Sequence, residues 1–576
     1  MNRRTFISRN GQLVFLSPII PLATLNPLFK REEAAVGGNT KPNWLVKMIE
    51  NNDGSVDRIL ERYISEKSDP KLGAILDAYG IPSPHASTSF LKSGICALIT
   101  EESKYHKDGS LLEKLGHSAK FLLNLQHEDG TIDLLSTNFH STPDTGFIVK
   151  WLAPIYRMLL ASTVSQKEKI SQPLFTFLMK AGNALTTGGI HTPNHRWVVC
   201  SALAELYKIE PHQKYLERAN TWLAEGIDLD PDGQYEEKSS YIYSSLSDRV
   251  LISTARGFDK PELLENVRKN LEMTFYYLHP NGEIVTEASG RQDNSIIGTL
   301  ENYYYPYRYL AIKDNNGQFA AACKLIEKTS FEKTTGFLYY FLEDQSLWEE
   351  LPPEENLPTN YAKVYKHSGL ARIRRGDYDA SILANNPVFF TFHKKNVMLQ
   401  GIRLASAFFG KGQFTSPEIQ EHEGKYILRS HLEGPYYQPF AKDKISGDGD
   451  WSKMPRSQRP QSEIQILNTT ISIEEVEGGF ELEINIQGTS HVPLALEIIF
   501  RPGGKLEGTL PNEMKDGGSF LKTGMATYEK DGEIIHFGPG FHQHRWVAIR
   551  GALPLMDAPT VFLTGFTPFY HKLKIS

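Results

Sequence analysis

Four stretches of this chain gather side chains able to move protons and hold an anion. Asn138, His140 and Asp144 follow an Asp129-Gly130 turn. His191, Asn194, His195, Arg196 and Trp197 follow Gly188-Gly189. Glu237, Ser239, Tyr241 and Tyr243 follow Asp232-Gly233. Arg291, Gln292 and Asp293, then Tyr303, Tyr304 and Tyr305, follow Asn281-Gly282. A single loop His or Asn is more often a helix cap or a satisfied core group. Asn and His recurring together, with Tyr and Arg on corresponding turns, point instead to a binding site. These types suit proton removal beside a carboxylate. Asn amides, Arg and His can stabilise the enolate-like charge that develops when a uronic acid loses its C5 proton. A Tyr or His takes that proton, and a Tyr hydroxyl gives one to the departing glycosidic oxygen at C4. The reaction needs no metal or organic cofactor, and none is expected.

The elements that must carry these residues can be read from apolar spacing. From Asn43 to about Trp348 the pattern is helical. Candidate helices cover 111–126, 148–162, 173–185, 195–207, 215–224, 245–256, 261–278 and 317–327. The second glycines of the four turns, at 130, 189, 233 and 282, lie 59, 44 and 49 residues apart. A period near fifty residues is the length of one helical hairpin and signals a stacked or closed array. In such an array every second loop emerges on one rim, so the four stretches are expected to meet there. Pro-Pro-Glu-Glu-Asn near 352–356 marks a linker. Beyond it, runs at 368–374, 388–393, 426–432, 464–473, 479–486, 494–501, 545–550 and 560–566 read as strands of an antiparallel sandwich. The expected architecture is α+β: a helical domain over 40–350, a linker over 351–362 and an antiparallel β-sandwich domain over 363–576.

Bulk properties narrow the partners. A chain of 576 residues exceeds one core and implies two or more domains. A net charge of −6 leaves no basic footprint, so nucleic acid is not an expected partner. The three cysteines (Cys96, Cys200, Cys323) are far apart, each in an apolar helical run, and suit neither a disulfide framework nor a zinc site. Arg3-Arg4-Thr5-Phe6-Ile7 precedes a short apolar run broken by Pro18 and Pro21. It resembles a bacterial twin-arginine export signal over residues 1–35, which predicts a periplasmic location and no membrane span.

Asn194-His195, followed by Asp232-Gly233, then Glu237-Lys238-Ser239 and Tyr243, resembles the heparinase II/III-like polysaccharide lyases. The stretch Lys366-His367-Ser368-Gly369-Leu370 is similar to the opening of their β domain. The resemblance implies an (α/α) toroid followed by a β-sandwich, and a lyase acting on a uronate-containing poly- or oligosaccharide. Open substrates are a rhamnose-glucuronate of arabinogalactan, heparin-like glycans, glucuronan and alginate. Asn194 and Arg291, helped by Asn138 or Arg196, would neutralise the carboxylate. The family pattern has a Tyr three residues after the Ser, where this chain has Ile242. Tyr243 is therefore the favoured acid, with Tyr241 the alternative and His195 or His140 the alternative base. A β-domain His would reach the cleft, either His367 or His393. Trp197, Tyr303 and Tyr304 are candidate sugar-stacking walls, and Glu237 a substrate contact. A structural metal in the β domain, on His422, His431 and Asp443, is an option that the spacing does not require. Two other readings compete. One is a glycoside hydrolase on the same toroid using two of Asp144, Glu236, Glu237 and Asp293. The other is a glycan-binding protein without catalysis. Oligomeric state is not legible.

Overall fold

The computed structural model describes residues 41–445, 447–513 and 518–576. The expected export signal lies outside them. No helix among the described residues is long and apolar enough to cross a membrane.

Twelve α-helices come first among the described residues: α1 (Asn43–Leu60), α2 (Pro84–Ile99), α3 (Gly109–Leu125), α4 (Thr142–Ala161), α5 (Glu168–Thr187), α6 (Pro193–Tyr207), α7 (Gln213–Leu223), α8 (Tyr243–Phe258), α9 (Leu264–Thr274), α10 (Tyr304–Asp314), α11 (Gly317–Thr329) and α12 (Leu338–Glu343). Several starts are fixed by side-chain caps. Ser83 accepts from the Ala86 N–H at 3.3 Å, Asp108 from Leu111 at 2.6 Å and Ser141 from Asp144 at 3.2 Å. The even-numbered helices form the inner ring. α2, α4, α6 and α8 pack side by side, α8 packs on α10, and α12 packs on α2 and α4. Tyr305 of α10 stacks on Tyr340 of α12 at 3.8 Å, which joins the remaining pair. The outcome is a closed (α/α) toroid around one large apolar core.

One turn recurs before the inner helices. Gly80, Gly130, Gly233 and Gly282 have φ of 76°, 87°, 94° and 85°. Each donates its N–H to the carbonyl three residues back, and that earlier residue donates to the carbonyl beyond the glycine at 2.8–2.9 Å. The left-handed conformation requires glycine. At Gly130 a Cβ would also run into the Lys180 carbonyl. Gly189 does not belong to the set, which corrects the repeat as read from sequence. Gly188 is extended and serves as a close approach to Thr142.

After the last helical turn at Trp348 the first large-sheet strand begins at Asn360. A nine-stranded and an eight-stranded sheet follow, antiparallel except where Gly518–Phe520 runs beside Thr560–Phe566. They pack face to face around a second core that draws from both sheets, for example Ile382 and Phe390 against Ile484 and Leu573. Alternation is strict in Phe569–Ile575, as expected when one face is buried and the other wet. Residues 545–550 do not form a strand. Val547 and Ile549 are buried alternately, but the segment has no ladder partner.

Helices and sheets meet along a charged seam. Arg372 (0% exposed) binds Asp379 and donates to the Tyr276 and Leu278 carbonyls. His279 contacts Asp379 at 3.0 Å and Glu287 at 3.6 Å, so its imidazole titrates high, at about 9. Arg501 contacts both oxygens of Glu283 at 2.8–2.9 Å.

Candidate functional site

The inner helices are parallel, and their first turns converge at one rim. α2 contributes His85, α4 Asp144, α6 Asn194 and His195, and α8 Tyr243. Three of these starts share a local signature: Ser83-Pro84-His85, Thr142-Pro143-Asp144 and Thr192-Pro193-Asn194. Proline fits a helix's first turn because its missing N–H would have no helical partner there. α8 lacks such a proline. Its entry is set instead by Ser239, whose hydroxyl accepts the Tyr243 N–H at 3.0 Å and donates to Asp293 at 2.9 Å. Asp293 is fully buried and also takes the Tyr241 N–H and the Ser289 hydroxyl. It holds the loop.

From Asn194 a chain of contacts runs across the rim. The Asn194 amide nitrogen donates to Glu237, leaving the Asn194 carbonyl oxygen buried with no hydrogen bond. The other Glu237 oxygen also has none, and lies 3.4 Å from the Arg291 Nε. The Arg291 guanidinium sits 5.3 Å above the Tyr243 ring, and Gln292 donates to the Tyr243 hydroxyl at 2.7 Å. Asn194, Glu237, Arg291, Tyr243 and Gln292 thus form one connected group drawn from three of the four stretches.

His195 flanks this group. Burial lowers its pKa to about 4, against a smaller opposing pull from Asp144, so the ring is neutral near pH 7. Its Nδ1 is buried without a partner, and Phe147 meets it edge-on at 6.0 Å. Asp144 is held by the Ser141 hydroxyl at 2.5 Å and Asn138 at 3.0 Å, with His85 at 3.7 Å. His85 was missed in the sequence. The Ser/Thr-Pro-polar triplet shared with Asp144 and Asn194 is the signal that would have found it.

The two tyrosines differ. Tyr241 donates to Glu301 at 2.7 Å and its ring lies against Gly298. Burial, and then Glu301, push its phenol above the usual range. Tyr243 is the one joined to Arg291 and Gln292.

Other candidates lie elsewhere. His140 is exposed, paired with Asp129 at 2.7 Å and stacked on His127 at 3.8 Å. Arg196 is buried against Glu225, Asp228 and the Trp197 ring. Trp197, Tyr303 and Tyr304 are at most 1% exposed and present no face to a sugar. They are core residues, because rim proximity in sequence does not set the direction in which a helical side chain points. His367 is exposed on a hairpin turn, where its backbone N–H binds Asp232 at 2.7 Å. His393 is buried at the seam, stacked on His279 at 3.8 Å, with its pKa lowered to about 3 by burial and by His279.

His422, His431 and Asp443 are exposed and form no group of ligand atoms. Among the described residues only His279, Asp379 and His393 bring three such atoms within 4.8 Å. Arg372 already occupies Asp379, and the two imidazoles lie 22° from parallel, so their in-plane lone pairs do not converge. That arrangement suits a charge network across the seam.

No protein-family model matches the chain, and no curated protein matches it in sequence. Solved structures match its backbone. A heparinase III structure superposes with a TM-score of 0.53 at 10% identity, over 94% of this chain and 84% of that one. A Paenibacillus xanthan lyase gives 0.53 at 9%, over 92% of this chain and 57% of that one. A Streptomyces coelicolor A3 chondroitin AC lyase in complex with chondroitin sulphate gives 0.51 at 11%, over 92% and 79%. These likenesses establish the fold, a helical toroid followed by antiparallel sheets.

Proposed function

We propose that the chain is a polysaccharide lyase that cleaves a glycosidic bond to a uronic acid by β-elimination. The observation that carries this reading is Tyr243 sharing one rim network with Asn194, Arg291 and Gln292, beside a neutral His195 whose Nδ1 is free. The activities of the structural neighbours, a heparinase, a xanthan lyase and a chondroitin AC lyase, support it as an analogy of fold.

In the proposed reaction the uronate carboxylate lies against Arg291, and the unpartnered Asn194 oxygen accepts a hydrogen bond from a sugar hydroxyl. Charge neutralisation acidifies C5–H. His195 takes that proton at a ring nitrogen, the electron pair forms the C4=C5 double bond, and the C4–O bond breaks. Tyr243, oriented by Gln292, gives its hydroxyl proton to the leaving oxygen. Glu237 is a positioning residue. It fixes the Asn194 amide and, through Arg291, the cation above the Tyr243 ring.

The hydrolase alternative is weakened because Asp293 is buried under structural hydrogen bonds and Glu236 is exposed. The deciding experiment presents the protein with a panel of uronate polymers and follows near-ultraviolet absorbance alongside reducing ends. New reducing ends without absorbance would overturn the lyase reading. We also infer export through Arg3-Arg4. Replacing both by lysine should strand the precursor in the cytoplasm, and unchanged fractionation would refute it.

A further inference from the structure

Below the rim, the inner wall of the toroid carries three cations whose charge no described carboxylate offsets in an ion pair. Lys150 on α4 is 6% exposed, and its ammonium makes no hydrogen bond or ion pair within the structure. It lies 4.3 Å from the Trp151 ring centre and 5.6 Å from Phe147. Lys92 on α2 lies 4.7 Å from the other end of this aromatic wall at Trp151 and 5.8 Å from Tyr339, and donates only to the Gly336 carbonyl, at 3.0 Å. Arg249 on α8 donates to the Asn302 carbonyl and lies 4.8 Å from Phe337. The neighbouring Asp248 carboxyl is fully buried, which raises its pKa above the usual range. Burial and mutual repulsion among the three cations push Lys150 well below the ordinary lysine range and Lys92 down to about 8.

A buried ammonium without a partner is costly, and like charges beside it add to the cost. An apolar residue would fill the Lys150 position more stably. Activity often requires locally destabilising features, and this is a candidate for one. The placement of the three cations says which function. Lys92, Lys150 and Arg249 follow His85, Asp144 and Tyr243 by seven, six and six residues on the same helices. At 1.5 Å per residue all three lie about 9–11 Å below the rim, at similar depth. Phe147 bridges the levels, touching both His195 and Lys150.

We propose that Lys92, Lys150 and Arg249 form a subsite for an anionic substituent, a carboxylate or sulfate, on a sugar lying deeper in the toroid than the cleaved bond. Trp151 and Phe337 are its half-buried walls. As a feature of substrate recognition the subsite rests on the polysaccharide reading above, but anion binding can be measured without turnover. The protonated lysines attract the anion, so affinity should rise as pH falls.

The full chain would be titrated with inorganic sulfate, glucuronate and neutral glucose while tryptophan fluorescence is followed, with Trp151→Phe identifying the reporter. Sulfate or glucuronate should saturate the signal and glucose should not; which anion binds tighter names the substituent. Lys150→Met should weaken the anion at least tenfold. It should also raise Tm without anion and abolish the Tm rise that anion gives the wild type. Equal anion affinity in wild type and Lys150→Met, or no anion binding at all, would overturn the subsite. Tyr243→Phe should retain anion binding. Binding without elimination on any polymer would refute the lyase reading alone, whereas elimination with an unaltered KM in Lys150→Met would refute the subsite alone.

Discussion

At the seam, His279 lies between Asp379 and Glu287, Arg372 occupies Asp379, and Arg501 takes both oxygens of Glu283. At the rim, the His195 Nδ1 and the Asn194 oxygen have no hydrogen bond, and the second Glu237 oxygen meets only the Arg291 Nε, at 3.4 Å. Apart from the His393 Nδ1, the Arg501 Nε and the Tyr365 hydroxyl, the seam spends its polar atoms on itself. An unmet buried polar atom costs about 1–3 kcal/mol. Where a fold satisfies such groups it is building structure, and where it leaves several adjacent ones unmet it is holding places for a ligand.

The sharpest way to break this comparison is to remove one hydroxyl from each of two near neighbours. Tyr243→Phe should lower the initial rate by about 10²–10⁴-fold with Tm little changed. Tyr241→Phe should cost about 1 kcal/mol of stability through the lost Glu301 bond while the rate per folded molecule persists. Equal rates in both variants would remove the distinction. On the seam, Asp379→Asn strands Arg372 and His279 and should cost about 3–5 kcal/mol in denaturant unfolding. A loss of rate instead of stability would move the seam into the site.

The two regions should also separate by pH. His279, raised to about 9, contributes stability that is complete below the ordinary value near 6.5 and is lost as pH climbs through 9. His195, lowered to about 4, favours the folded state above 6.5, and that contribution fades as pH falls towards 4. Each amounts to about 3 kcal/mol at most. His279→Gln should flatten the alkaline decline and leave the acid one, and His195→Gln the reverse, measured as Tm against pH. The smallest effect is expected at His140, where replacement by Ala should shift stability by less than about 0.5 kcal/mol and the rate by less than about threefold. A large rate loss there would extend the rim network to the hairpin at 132–141.

Much of the toroid was legible because helical spacing and glycine turns are local properties. The turn at Gly80 escaped because Tyr79 precedes it where Asp or Asn marks the others. The run at 545–550 misled for a related reason: alternation records which side chains are buried, and pairing requires a neighbouring strand. Asn194, Tyr243, Glu237 and Arg291, singled out by type, spacing and family resemblance, do lie together at the rim. What spacing could not supply was direction. Trp197 sits three residues beyond Asn194 yet donates its indole N–H to Asp228 in the core, and Arg196 turns to the same carboxylate.

The Asp230-to-Tyr243 stretch has one further attachment. Asp232 accepts the backbone N–H groups of His367 and Ser368 at 2.7 and 3.1 Å, Asp230 accepts the Ser368 hydroxyl at 3.1 Å, and Lys238 reaches the carbonyls of both at 3.2–3.3 Å. Those partners lie 129 to 138 residues downstream. A ribosome delivers the chain in order, and N-terminal parts fold first. If the toroid closes as it emerges, the loop carrying its tyrosine is then still unfastened, and the fastening arrives only with the hairpin turn at 366–369. Competence is thereby tied to completion: a chain stopped short of Lys366 would own every rim residue and lack the clamp that sets them in place.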